Sequence, residues 1–168
     1  SKDIVYARRD GGREMKLDIY TPPGAGVKPL AMWIHGGARK MGDKDSYVHP
    51  RFLLLHGYVV ASIEYRLSQE KIFPAQIHDV KAAFRFLRAG AATYGVDPNR
   101  IAAIGESAGG HLAALLGVTS GIPALTDDPG GKDDKPTAVV DFYGPTDMDM
   151  RNPGGDLDES VDQLLGGA

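Results

Sequence analysis

The sequence contains no cysteine among its 168 residues. A chain without thiols cannot form a disulfide, bind a metal through thiolates or use a cysteine as nucleophile. It also lacks any apolar run near the roughly 20 residues that a membrane-spanning helix requires. Its first residues, Ser1–Tyr6, carry no signal-peptide pattern. We therefore expect neither a signal peptide nor a transmembrane segment in this sequence, which leaves its compartment open.

An excess of charge of one sign is missing as well. The chain has 19 basic and 22 acidic side chains, which gives a formal net charge of −3. Because nucleic acids and anionic membranes are bound through basic surfaces, we expect neither as a partner. A hydrophobic fraction of 42% and a charged fraction of 24% are typical of globular proteins. The length fits one domain, so we expect a single domain over residues 1–168.

Short apolar runs alternate with segments of helical periodicity along the chain. The predicted strands are Ile4–Ala7, Met15–Tyr20, Leu30–Ile34, Tyr58–Ile63, Ile101–Gly105 and Ala138–Tyr143, and the predicted helices are Tyr47–His56, a helix that opens at Pro74, and Ala108–Gly117. The first two strands are joined by Asp10-Gly11-Gly12, which is typical of a hairpin turn. The alternation predicts an α/β fold of three α/β/α layers, with a mostly parallel sheet and antiparallel first strands.

The predicted helix that opens at Pro74 is amphipathic. Its apolar face comprises Ile77, Val80, Phe84 and Leu87, and its basic side chains Lys81, Arg85 and Arg88 fall elsewhere. We therefore expect the apolar face of this helix to cover the sheet.

Glycine is abundant, with 22 residues, and its most informative cluster is Gly105-Glu106-Ser107-Ala108-Gly109. The cluster lies between a predicted strand and a predicted helix, which is the setting of a nucleophile elbow. At so sharp a turn a side chain at position 105 or 109 would collide with backbone, which explains both glycines. Ser107 would project from the carboxyl end of the sheet as the nucleophile, and the free N–H of Ala108 would stabilise an oxyanion. The alternative is a tight turn without chemistry.

A second glycine pair, in His35-Gly36-Gly37-Ala38, directly follows the predicted strand Leu30–Ile34. Two consecutive glycines can present backbone N–H groups without side-chain obstruction, as in the second half of an α/β-hydrolase oxyanion hole. Gly36 and Gly37 are therefore candidates for that role, and His35 for a residue that shapes the loop by hydrogen bonding. The alternative is a glycine turn that only ends a strand.

Further motifs follow these glycines in order along the chain. They are Ser62-Ile63-Glu64-Tyr65-Arg66-Leu67, Phe73-Pro74-Ala75-Gln76, Tyr94-Gly95-Val96-Asp97-Pro98-Asn99-Arg100-Ile101, Gly105 to Ala113, and Tyr143-Gly144-Pro145-Thr146-Asp147. Together they resemble the α/β-hydrolase carboxylesterases, close to the hormone-sensitive-lipase-like and feruloyl-esterase-like members. The resemblance covers nearly the whole chain and implies that Ser107 is the nucleophile and that Gly36, Gly37 and Ala108 form the oxyanion hole. It implies small or sugar-linked acyl esters as substrates, and the chemistry needs no cofactor.

The chain departs from the pattern of these esterases at two places. Many relatives have an aromatic residue where Ala38-Arg39-Lys40 follows the glycines, at the wall of the acyl pocket. The second departure concerns the base that a serine nucleophile needs, a histidine oriented by a carboxylate, which on this fold comes after the serine and the acid. The only histidine after Ser107 is His111. We expect His111 to be structural, with a makeshift base as the alternative.

The remaining candidates for acid and base are less specific. His49, His56 and His78 are expected at surface or boundary positions. Carboxylates after Ser107 are Asp127, Asp128, Asp133, Asp134, Asp141, Asp147, Asp149, Asp156, Asp158, Glu159 and Asp162. Among them Asp147 is either the triad acid or a structural loop aspartate. The resemblance implies that acid and histidine follow further strands, so we expect the domain to be incomplete at its C-terminal end.

Three functional hypotheses remain. The first is a serine carboxylic ester hydrolase whose histidine and acid come from residues outside this sequence or from a second chain. The second is a non-catalytic remnant of the hydrolase fold that binds small esters or partners without turnover. The third is weak hydrolysis without a triad, because serine and oxyanion hole alone can leave a residual advantage of about 10³–10⁴ over water.

The last predicted strand, Ala138–Tyr143, would form an apolar edge of the sheet. An exposed edge strand pairs readily with another strand. We therefore expect a homo-oligomer or a complementing chain at this edge.

Overall fold

The computed structural model describes residues 1–46, 50–128, 134–149, 155–156 and 158–167. Its six strands are β1 (Ile4–Arg8), β2 (Glu14–Tyr20), β3 (Lys28–Ile34), β4 (Val59–Ile63), β5 (Val96–Glu106) and β6 (Ala138–Phe142). They form one sheet in the order β1-β2-β4-β3-β5-β6. Strand β2 is antiparallel to both neighbours, whereas β4, β3, β5 and β6 are mutually parallel. The predicted α/β class with antiparallel first strands is confirmed.

Helices cover both faces of this sheet. They are α1 (Phe52–Leu55), α2 (Ala75–Ala89), α3 (Ala91–Tyr94), α4 (Ala108–Val118) and α5 (Glu159–Leu165), with short 3₁₀ turns at Asp10–Gly12 and Pro123–Leu125. Because side chains alternate along a strand, β3 contributes Leu30, Met32 and Ile34 to a main core under α2 and α4. Ala31 and Trp33 of the same strand point to the opposite face, where they pack with Leu53 of α1. Over the described part of the chain, no helix is long and apolar enough to cross a membrane.

Several predicted boundaries need correction. The helix predicted over Tyr47–His56 is limited to α1 in the described residues, and Tyr47–His49 lie outside them. Strand β5 begins five residues earlier than predicted, at Val96, because Lys28 of β3 pairs with that residue. Helices α3 and α5, with four and seven residues, were not predicted, since so few residues show no clear periodicity.

The apolar face predicted for the helix after Pro74 is confirmed, since Ile77, Val80, Phe84 and Leu87 of α2 are fully buried. Lys81 of the same helix is fully buried too, which corrects its placement away from the core. Its Nζ donates to the Thr119 carbonyl at 2.6 Å and lies 3.3 Å from the buried Asp134 carboxylate. The end of α4 and this acidic partner therefore compensate a charge that α2 alone could not bury.

A buried carboxylate, Asp79 of α2, fixes the segment that follows β4. Its Oδ2 accepts from the Arg66 backbone N–H and from Arg66 Nε, both at 2.9 Å. Its Oδ1 accepts from Arg66 Nη2 at 3.0 Å and from Arg9 Nε at 2.8 Å. With four donors around it, the carboxylate is satisfied without water. These bonds fix the position of the neighbouring Tyr65, whose ring contacts the loop after β3.

Strand β6 is the last strand of the sheet, and in the described residues β5 is its only neighbour. Val139 and Val140 are each 38% exposed and Phe142 is 46% exposed. The strand is therefore an apolar edge, as its sequence indicates. That another strand pairs with it stays a prediction.

Candidate active site

Ser107 is the single residue between β5, which ends at Glu106, and α4, which begins at Ala108. Its backbone has φ 50° and ψ −120°, a conformation that a residue with a side chain rarely adopts. Such a conformation persists where surrounding contacts over-determine it. Here the Ser107 N–H donates to the Phe142 carbonyl of β6 at 2.8 Å, and the Ser107 carbonyl accepts from the His111 N–H at 3.0 Å. The strand–turn–helix predicted at this position is present.

Glycine on both sides of Ser107 is required by close backbone approach. A Cβ atom at Gly105 would lie 2.2 Å from the Gly109 carbonyl oxygen, and a Cβ at Gly109 would lie 2.1 Å from that of Ile34. Neither contact can relax through side-chain motion, because the opposing atom is backbone. Helix α4 thus crosses the ends of β3 and β5 at a distance that only glycine permits.

The loop after β3 lies directly against this turn. Strands β3 and β5 are parallel neighbours with Ile34 opposite Gly105, so both end at the same edge of the sheet. A Cβ at Gly36 would lie 3.4 Å from the Ser107 Cβ and 3.1 Å from the Glu106 carbonyl oxygen. Gly37 has φ 101°, in the region that favours glycine. The structure therefore brings Gly36, Ser107 and Ala108 together, and Gly37 follows on the same loop.

His35 holds this loop from within the core. Its side chain is only 1% exposed, and its ring stacks on Tyr65 with centroids 4.3 Å apart. The Nδ1 atom lies 2.7 Å from the Gly36 carbonyl oxygen, and Tyr65 Oη donates to the His35 carbonyl at 3.0 Å. This geometry agrees with the interpretation of His35 as a loop-shaping residue.

A cavity of about 510 Å³ opens beside the Gly36–Gly37 loop. Its lining residues are Gly36, Gly37, Met41, Gly42, Asp43, Asp45, Ser46 and Glu106. Ser107 is not among them, but its neighbour Glu106 is, and Glu106 Oε2 accepts a hydrogen bond from Tyr143 Oη at 2.9 Å. The cavity therefore adjoins the turn, and three of its lining residues, Asp43, Asp45 and Glu106, are acidic.

No described residue forms a hydrogen bond with Ser107 Oγ. His111 lies one helical turn away, and its Nδ1 is buried without a partner in the described residues. Burial, and then the positive charge of Arg39, lower the pKa of His111 to about 4. A base with so low a pKa removes a proton from a hydroxyl poorly, which favours the structural interpretation of this histidine.

The other acid and base candidates lie in less suitable surroundings. His56 is exposed after α1, and burial lowers the pKa of the half-buried His78 on α2. His49 and Asp133 lie outside the described residues. Asp147 accepts from the Asp149 N–H at 2.9 Å, as a loop aspartate does. Among the residues that the structure describes, no cluster of three His, Asp or Glu side chains could hold a metal ion.

Sequence reasoning noted Arg39 only as a departure from the pattern of the esterases. Ala38 and Arg39 both have left-handed backbones, with φ 53° and 62°. The Arg39 side chain is 1% exposed, and its one hydrogen bond to a described residue runs from Nη2 to Ser160 Oγ at 3.5 Å. Nε and Nη1 have no partner in the described residues, and burial lowers the pKa of the guanidinium. The signal in the sequence that could have indicated this role is a charged residue, Arg39, close after the glycine pair Gly36-Gly37.

Comparison with known proteins supplies the relationship. The family model described as BD-FAE matches residues 17–168. The chain is 37% identical over 153 residues to the probable carboxylic ester hydrolase LipM of Mycobacterium tuberculosis, covering 87% of this chain and 35% of LipM. A truncated form of a carbohydrate esterase from gut microbiota matches with a TM-score of 0.83 and 31% identity, over 99% of this chain and 65% of that one. Thermogutta terrifontis esterase 2 phosphonylated by sarin matches with a TM-score of 0.80 and 26% identity, over 99% and 64%.

The fold is thus that of the α/β-hydrolase esterases, and the lineage is that of hydrolases. The chain belongs to the BD-FAE family. It spans about a third of the length of the mycobacterial relatives LipM, LipQ and LipC, which are named as a carboxylic ester hydrolase and esterases.

We predict that Gly105→Ala destabilises the protein by about 3 kcal/mol or more, because the new Cβ must displace backbone. Gly24→Ala is the matched control, since Gly24 has φ 97° but nothing within 4 Å of its Cβ position. That variant should cost only backbone strain, roughly 1–2 kcal/mol. Urea unfolding followed by circular dichroism measures both. Equal losses in the two variants would show that the close approach is not what Gly105 provides.

A second prediction concerns acid stability. Because the pKa of His111 is about 4 when folded, against 6.5 ordinarily, the unfolded chain binds this proton first as the pH falls. Stability from the neutral ring is thus complete above pH 6.5 and is lost down to about pH 4, to a total of about 2–3 kcal/mol. His111→Asn should lose less stability over this window than the wild type in urea titrations at pH 7, 5.5 and 4. His56→Asn, at an exposed position, should follow the wild type, and a parallel loss in all three proteins contradicts the prediction.

Proposed function

We propose that the protein is a serine carboxylic ester hydrolase in which Ser107 is the nucleophile and small or sugar-linked acyl esters are the substrates. The observation that carries the proposal is the strained backbone of Ser107 at a strand–helix junction, with Gly36 packed against it. A left-handed serine is costly, and such cost is retained mainly at functional sites. The esterase names of the relatives support the reaction class.

The proposed reaction has two halves. Ser107 Oγ bonds to the ester carbonyl carbon while a base takes the hydroxyl proton, and the carbonyl electrons move to the oxygen. The oxyanion is stabilised by the N–H groups of the Gly36–Gly37 loop and of Ala108, which as the first residue of α4 has no intrahelical acceptor. Collapse expels the alcohol, which takes the proton. Water then repeats the sequence on the acyl-enzyme and releases the acid.

The histidine and the acid of this scheme are assigned to residues outside this sequence or to a second chain. His111 is excluded from the primary role because its low pKa and its position behind the turn make it a poor base. Asp147 is assigned to the loop, since its carboxylate already accepts from the Asp149 N–H.

The preference for sugar-linked esters rests on the cavity beside the turn. Asp43, Asp45, Ser46 and Glu106 are among its lining residues, and a carboxylate can accept hydrogen bonds from hydroxyl groups in addition to those from protein donors. One relative of known structure is called a carbohydrate esterase. No cofactor takes part in the proposed reaction.

A second candidate function is a binding module without turnover. It is favoured by one observation, namely that Ser107 Oγ makes no hydrogen bond to a described histidine or to any other described residue. Such a module would use the cavity to hold small esters, while the nucleophile stays unactivated. Weak hydrolysis through Ser107 and the oxyanion hole alone lies between the two.

Covalent labelling separates these candidates. We expect a fluorophosphonate probe to add to Ser107, by analogy with the relative that is phosphonylated by sarin, and Ser107→Ala to lose at least 100-fold in labelling and in p-nitrophenyl acetate hydrolysis. Mass spectrometry of the digested protein locates the adduct. Ser1→Ala, at an exposed position, should behave as wild type, and His111→Ala reports any internal base. Labelling elsewhere, or labelling unaffected by Ser107→Ala, refutes the assignment. If labelling and hydrolysis of the wild type do not exceed the level of Ser107→Ala, the binding module is favoured instead.

We also propose that strand β6 pairs with a strand from a second copy or a complementing chain. The apolar side chains of Val139, Val140 and Phe142 at this edge support the pairing. The purified chain should therefore scatter light with a mass that is a multiple of one chain, and Val140→Lys should lower that mass. A monodisperse monomer for the wild type rules out pairing between copies of this chain.

A further inference from the structure

Arg39 carries a buried charge close to the proposed nucleophile. It lies two residues after Gly37, on the loop that packs against Ser107. Burial, and then the Arg39 charge, lower the pKa of His111 on α4. Burial raises the pKa of Tyr65, and the Arg39 charge opposes that rise. The guanidinium is therefore buried beside Ser160 of α5 and within electrostatic reach of His111 on α4.

The donors of this guanidinium are mostly unused. Nε and Nη1 have no acceptor among the described residues, and Nη2 reaches only the Ser160 hydroxyl, at 3.5 Å. That hydroxyl in turn donates to Asp158 Oδ1, so the nearest carboxylate meets Arg39 only through a serine. An uncompensated buried cation is costly. The contrast with Arg66, whose guanidinium makes two hydrogen bonds to Asp79 and one to Asp10, shows that this fold can satisfy a buried arginine.

Helix α5 lies over Arg39, which it contacts through Ser160. Few contacts with other described residues hold this helix in place. Val161 and Leu164 are its buried side chains, and the Leu164 carbonyl accepts from the Phe73 N–H at 2.9 Å. Glu159 of α5 forms an ion pair with Lys40, but the Glu159 side chain is 87% exposed. Exposed ion pairs contribute little to stability. A short helix held by two apolar side chains belongs to the segments that open at low free-energy cost.

We propose that Arg39 is a specificity-determining residue that binds a ligand carboxylate beneath α5. A planar carboxylate matches the free Nε and Nη donors, which can form two parallel charge-assisted hydrogen bonds. The ligand class is an ester that carries a second, free carboxylate, such as a half-ester of a short dicarboxylic acid. As far as the ligand is a substrate, the inference rests on the proposed function, but carboxylate binding itself does not require turnover.

Nitrogen-15 NMR of the Ser107→Ala protein tests this proposal, because no ester is consumed. Three probes are compared. Monomethyl succinate carries an ester and a free carboxylate, dimethyl succinate carries only ester groups, and acetate carries only a carboxylate. Arg39→Lys identifies the Arg39 Nε–H signal by its disappearance. We expect this signal to shift saturably with monomethyl succinate, to shift only at higher concentrations of acetate, and not to respond to dimethyl succinate.

Variants then quantify the contact. In the Ser107→Ala background, Arg39→Gln should weaken monomethyl succinate binding at least about tenfold in calorimetry. The affinity of Arg39→Lys should lie between those of the parent and Arg39→Gln, because lysine keeps the charge but lacks the two parallel donors of the guanidinium. Arg100→Gln is the matched control, since Arg100 is an exposed arginine paired with Asp97, and it should bind as the parent does. An unmoved Arg39 signal, or equal affinity in Arg39→Gln, overturns the proposal, and acetate binding as tight as the half-ester reassigns the site to free acids. Unlabelled Ser107 with intact carboxylate binding would refute the proposed function and leave this inference standing.

Discussion

The crossing of α4 over the ends of β3 and β5 is the constraint on which the site depends. Backbone meets backbone at Gly105 and Gly109 with no room for a single added carbon atom. Since the helix cannot be displaced outward without losing the core side chains Leu112 and Leu116, the turn between strand and helix must be one residue long. Ser107 is that residue, and its strained backbone follows from the packing around it.

Buried charges divide into two kinds in this protein. Asp79 with Arg66 and Arg9, and Lys81 with Asp134, are paired and connect helix α2 to its surroundings. Arg39 is buried to the same degree but is left with unused donors. The paired groups connect α2 to its surroundings, whereas the unpaired one lies two residues after Gly37, on the loop whose Gly36 packs against Ser107. Arg39 thus differs from the other buried arginine and lysine groups of this comparison in its unused donors, which is what a group that binds a ligand requires.

The sequence allowed the strands, α2 and α4 to be predicted because their patterns are local: apolar runs for the buried strands, a face of Ile77, Val80, Phe84 and Leu87 for the helix. The need for glycine at positions 105 and 109 could also be predicted, since it follows from the geometry of a single turn. The meeting of Gly36 with Ser107 followed from topology, as both leave adjacent parallel strands at the same edge. The burial of Lys81 and of Arg39 could not be predicted from the sequence, because it depends on segments distant along the chain. Lys81 is buried by the end of α4 and by Asp134, and Arg39 by α5. Residues 47–49 lie in a predicted helix that the described structure does not cover.

The hydrogen bond from the Ser107 N–H to the Phe142 carbonyl has a consequence for the order in which the chain acquires its shape. Most contacts around Ser107 come from segments that precede it, and these can assemble as soon as they are synthesised. Strand β6 is synthesised after the other described strands, and contacts between distant segments form slowly. The serine therefore reaches its described conformation only when β6 docks, so the core side chains of the earlier strands can pack before the Ser107 backbone is fixed.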